Sequence, residues 1–100
     1  MATKTYDKYR RHLTFAAAGT QTIYCPAGGK LFVQYLDIFT AAGNTITVSI
    51  GATVIIDGNF INSPVQLTFG KGEGSGVDDE DITVVTNAAA EIFVGYSSQT

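Results

Sequence analysis

Cysteine occurs once, histidine once, proline twice and tryptophan never in these 100 residues. Each scarcity removes a class of function. A lone Cys25 excludes an intramolecular disulfide, and one Cys with one His excludes a four-ligand structural zinc site. Charged residues make up 15% of the chain, against roughly 25% in an average globular protein. With 45% hydrophobic residues, disorder driven by high charge and low hydrophobicity is excluded. No apolar run approaches the ~18–20 residues of a membrane helix, and no apolar stretch follows the charged opening dozen residues. Neither a membrane span nor a secretory leader is expected.

What charge there is divides unevenly. Residues 1–12 carry Lys4, Lys8, Arg10 and Arg11 against Asp7, a net +3, while residues 13–100 carry Lys30 and Lys71 against eight acids, a net −6. The chain reads as a basic N-terminal arm, 1–12, on a single acidic domain, 13–100. Four cations interrupted by an acid, on a body that repels phosphate, make a poor nucleic-acid footprint. Attraction to an acidic neighbour fits the arm better. Tyr6 and Tyr9 beside the arginines are residue types enriched where partners cover a surface. The expected docking residues of the arm are Lys4, Tyr6, Lys8, Tyr9, Arg10 and Arg11.

From residue 13 onward, Thr, Val, Ile, Phe and Tyr dominate short stretches cut by Gly, Asn and Pro, which is β composition. Thr45-Ile46-Thr47-Val48-Ser49-Ile50 alternates strictly and predicts a half-buried strand. Val65-Gln66-Leu67-Thr68-Phe69 keeps the same period. Residues 82–86 and 91–96 follow it less strictly, and residues 20–25 also alternate. The residues 20–25 put Cys25 on the Ile23 face and predict a buried, inert thiol. Turn chemistry at Pro26-Ala27-Gly28-Gly29, Ala41-Ala42-Gly43-Asn44, Asp57-Gly58-Asn59, Asn62-Ser63-Pro64 and residues 70–76 separates the strands. No helical period is visible. The expectation is an all-β fold, a small antiparallel β-sandwich or jelly roll of about six to eight strands.

Residues 30–40 (KLFVQYLDIFT) are apolar on both faces under a strict period of two. Leu31, Val33, Tyr35 and Phe39 fall on one side, with Phe32, Leu36 and Ile38 on the other. A partner subunit or a loop, not a helix layer, is the expected second cover, and with a partner as that cover Phe32, Leu36 and Ile38 join the expected partner-binding residues.

Catalytic chemistry finds little to work with. His12 has no nucleophile motif near it. The glycines at 70, 72, 74 and 76 lack the strand-to-helix setting of a phosphate loop. Asp37, Asp57 and Glu91 are tied together by no glycosidase pattern. Asp78-Asp79-Glu80-Asp81 closes a Gly-rich loop without the spacing of an EF-hand, so a solvated acidic loop is preferred to a calcium site. No enzyme activity, no cofactor, no small-molecule substrate and no metal are expected.

The order of segments resembles small β-sandwich virion structural proteins of tailed bacteriophages. The resemblance rests on Pro26-Ala27-Gly28-Gly29-Lys30 leading into a long apolar strand and on Ala41-Ala42-Gly43-Asn44 leading into the Thr/Val strand. It also rests on a closing pair of strands, 81–96, joined by Asn87-Ala88-Ala89-Ala90 and ending at Tyr96. It spans residues 13–97 and leaves out the arm. It implies a capsid decoration, head-fibre or tail-associated protein, located in the virion. Its partners would be copies of itself, as a trimer, and a larger protein such as the major capsid protein. The alternative is a carbohydrate- or receptor-binding module using Tyr24, Tyr35, Phe60 and Tyr96 as aromatic platforms.

Overall fold

In the computed structural model, residues 6–40, 43–60 and 65–99 are described. They form eight strands: β1 (Tyr6–Phe15), β2 (Gly19–Ile23), β3 (Lys30–Thr40), β4 (Asn44–Ile50), β5 (Thr53–Phe60), β6 (Val65–Glu73), β7 (Ile82–Thr86) and β8 (Ala90–Gln99). Two antiparallel four-stranded sheets result, ordered β1-β8-β3-β6 and β2-β7-β4-β5. Successive strands change sheet except at the β4–β5 hairpin, which is jelly-roll connectivity. The expected all-β sandwich is therefore the fold.

The core follows the period-two pattern, both where it is strict and where it is looser. Ile46, Val48 and Ile50 of β4 and Ile82 and Val84 of β7 are fully buried, facing Ile92 and Val94 of β8 from the other sheet. Each such side chain contributes about 1.5–3 kcal/mol relative to exposure.

In β3 the period breaks, and the break accounts for the strand with two apolar faces. The pairing with β8 shifts between Val33 and Tyr35, so Gln34 is an extra residue that reverses the phase of the pleat. Leu31 and Val33 before the bulge, and Leu36 and Ile38 after it, all point inward and are buried. Phe32, Tyr35 and Phe39 are left on the outer face. Leu36 and Ile38 are thus corrected from partner-binding residues to core residues; no second subunit is needed to cover them.

Two further expectations change. Residues 6–12, read as an arm, form the first part of β1 and pair with β8 from Tyr6↔Gln99 to Phe15↔Ala90. Backbone hydrogen bonding to a central strand offsets the low β propensity of their charges, which remain at the sheet edge. Asp57-Gly58-Asn59 is not a turn but lies within β5, where an edge position tolerates a glycine. The turn before it is Gly51-Ala52, with Gly51 at φ 55, a conformation open to glycine without steric cost. Strand β6 likewise runs on into the Gly-rich stretch to Glu73, after a register break between Thr68 and Glu73 opposite Gln34. Residues 41–42 and 62–64 of two expected turns lie outside the described residues.

Candidate interaction surface

Register decides which side chains meet on the outer face of the β1-β8-β3-β6 sheet. Arg10, His12 and Thr14 of β1 stand opposite Gly95, Phe93 and Glu91 of β8. These in turn stand opposite Tyr35, Asp37 and Phe39 of β3. Three strands therefore bring one cation, one imidazole, three aromatic rings and two carboxylates onto one face.

Phe93 is the centre of that face. The Arg10 guanidinium lies 4.5 Å from its ring centroid, the His12 ring stacks on it at 4.2 Å and 10°, and Phe39 meets it edge-on at 5.9 Å and 81°. An exposed cation–π contact contributes about 0.5–1 kcal/mol and an aromatic pair about 0.5–1.5 kcal/mol. The cluster thus stiffens the junction of β1, β8 and β3. His12 Nε2 also lies 3.3 Å from Glu91 Oε1, but both side chains are about half exposed (43% and 56%), so that pair adds little.

The expected partner-binding residues separate into groups. Lys4 and the side chains of Tyr6 and Lys8 lie outside the described residues. Arg10 and Arg11 are exposed on β1. Tyr9 is 47% exposed and stacks on Tyr96 at 5.3 Å, on the opposite face of the sheet from Arg10. Phe32 is on the outer face but half-buried by its own chain, since a β-carbon at Gly74 would meet its Cδ1 at 2.7 Å. His12, Phe39 and Phe93 were not among the expected residues. They are far apart in sequence, and only the pairing of β1 and β3 with β8 brings them together.

The acidic loop is turned to a structural task. The Asp79 carboxylate accepts the Gly28 N–H at 2.6 Å, and Asp81 Oδ1 accepts the Cys25 N–H at 2.7 Å. Asp78 pairs with Lys30. Asp79 itself sits at φ 64 and donates its N–H to the Gly29 carbonyl at 2.9 Å. Three carboxylates thus brace the loop between β2 and β3. Among the described residues, no group of three or more His, Cys, Asp or Glu side chains is placed to hold a metal ion.

Cys25 is half-buried, not fully buried, and its thiol donates to the Gly29 carbonyl at 3.2 Å. Burial pushes the thiol up from its ordinary range; a backbone hydrogen bond from Asp79 opposes this, and the charges of Asp79, Asp81 and Asp78 reinforce it. A thiol held in its neutral form is a poor nucleophile.

The residues considered as sugar platforms do not converge. Tyr24 is 78% exposed beyond the end of β2. Tyr35 covers Gly95 on the outer face, and Tyr96 is buried on the inner one. The Phe60 side chain lies outside the described residues.

No protein-family model matches the chain, and no curated protein matches it in sequence. In fold, it is similar to a solved structure from a study of Bacillus endospore appendages described as a novel family of disulfide-linked pili. The TM-score is 0.57 at 20% identity, over 97% of this chain and 87% of that one. At that identity the likeness concerns the fold, and the matched protein belongs to a pilus, not to a phage particle.

Proposed function

We propose that this chain is a structural subunit that works by protein–protein contact, associating with copies of itself in a surface assembly, and that it performs no reaction. The observation that carries the reading is the cluster of Arg10, His12, Phe93 and Phe39 on an outer sheet face. Arginine and aromatic residues are enriched where protein surfaces are buried by partners. A fold shared with a pilus protein supports the same role.

Two locations fit that role. The order of segments in the sequence suggests a virion, whereas the fold similarity favours an extracellular appendage. The appendage reading is preferred, with one difference from the matched pilus. A subunit with one cysteine can be disulfide-bonded to only one other copy, so disulfides alone cannot extend an assembly of this chain beyond pairs. A sugar-binding reading is not favoured, because Tyr24, Tyr35 and Tyr96 lie apart on different faces.

The test is the mass of the purified protein across a range of concentrations, by size-exclusion chromatography with light scattering, with electron microscopy of the largest species. Concentration-dependent assembly that survives reductant is expected. A monomer at every concentration would overturn the reading.

A further inference from the structure

A sandwich of two four-stranded sheets has four edge strands, and here they are unequal. Strand β2 has only five residues, and β6 is interrupted opposite Gln34, with Gly72 at φ 104. Strand β1 is different: ten residues pair with β8 without a register shift. Across its other edge, the one side-chain bond described is from Gln21 Nε2 to the Thr14 carbonyl at 2.6 Å, near its end. Among the described residues nothing else crosses that edge, so residues 6–13 present an unbroken row of backbone donors and acceptors to it, which is a template for another strand.

Charge selects the strand that can use it. Two copies of β1 would bring Arg10 and Arg11 against like charges, which is unfavourable for directly opposed residues. Strand β5 is complementary. Its eight residues contain no cation, and Asp57 is exposed on the outer face of its sheet, where it accepts a hydrogen bond from Thr47 Oγ1 at 3.1 Å. Val54 at its start is 57% exposed. Beyond the bulge at Ile55, residues 56–60 pair with β4 in unbroken register. The Gln21–Thr14 bond places β2 beside β1, so β5, at the far end of the β2-β7-β4-β5 sheet, lies on the opposite flank.

We infer that the open edge of β1 pairs with β5 of a second copy, so that subunits add head to tail across the sheets; Arg10 and Arg11 lie on opposite faces of β1, and one of them therefore comes to the same side of the joined sheet as Asp57 of that copy. Unlike surfaces on opposite flanks do not close on a two-fold axis, and the contact propagates as a line of subunits. This inference rests on the self-association reading above and names its interface.

Charge reversal tests it. Asp57→Lys gives a chain with two cationic edges, and Arg10→Glu with Arg11→Glu gives a chain with two acidic edges. Each alone is expected to need a concentration about fivefold or more above wild type to sediment as assemblies in low salt. An equimolar mixture of the two is expected to recover assembly, because each cationic edge again meets an acidic one. Circular dichroism checks folding; should the arginine variant fail to fold, Asp57→Lys alone decides. If wild type assembles while the folded variants assemble equally well, or if the mixture recovers nothing, the β1–β5 pairing is overturned. If wild type itself never assembles, the subunit reading falls first.

Discussion

The ring of Tyr35 on β3 lies over Gly95 on β8, in the space that a β-carbon at position 95 would need. A glycine in the middle of a central strand weakens it, and here the empty position lets an aromatic ring rest against backbone. Gly95→Ala is expected to destabilise the protein by about 1–3 kcal/mol through overpacking. Combining it with Tyr35→Ala should cost less than the sum of the two single changes, since the ring that causes the clash is gone. Urea denaturation of the three variants measures both quantities; strict additivity would show that the ring and the glycine are not in contact.

The phase reversal at Gln34 makes a second prediction, which separates two neighbouring hydrophobic residues of β3. Leu36→Ala should cost about 2–5 kcal/mol, as for a fully buried leucine. Phe39→Ala should cost about 1 kcal/mol or less, because Phe39 is 41% exposed on the outer face. Equal costs in equilibrium unfolding would mean that the bulge does not set the phase.

Cys25 predicts a dependence on alkaline pH. Its folded thiol holds its proton above the ordinary range, through burial first, so the folded state binds more protons than the unfolded one once pH passes about 8.5. That contribution to stability is fully present below the unfolded value and is lost as pH rises through the folded one. The urea midpoint of the wild type should therefore fall more steeply above about pH 8.5 than that of Cys25→Ser. Parallel pH profiles for the two proteins would show that the thiol ionises equally easily in both states.

Much of the fold is legible along the chain. Alternation in residues 45–50 assigns both strand and buried face, and the looser alternation of 82–86 assigns the strand, because a period of two means the same thing wherever one side of a sheet is covered. Lys30–Thr40 is recognisable as a strand with matching ends, yet its faces are not. The extra residue at Gln34 shows only in the pairing with β8; read alone, the pattern suggests two apolar faces. Strand β1 is hidden for a related reason. Its opening residues carry the charges of a free arm, and they become a strand only because β8 offers a ten-residue partner.

The interaction surface divides in the same way. Arg10 and Arg11 can be nominated from their neighbours, since charge imbalance between the first dozen residues and the rest is a property of the chain itself. Phe93, Phe39 and His12 cannot, because nothing local connects positions 12, 39 and 93. Composition and alternation alone decide that this chain buries its aliphatic side chains between two sheets, with little material for catalysis. Which aromatic rings remain outside, which edge stays open and which carboxylates are spent on bracing a loop are decided in three dimensions, because strand register and the bulge at Gln34 depend on contacts between distant segments.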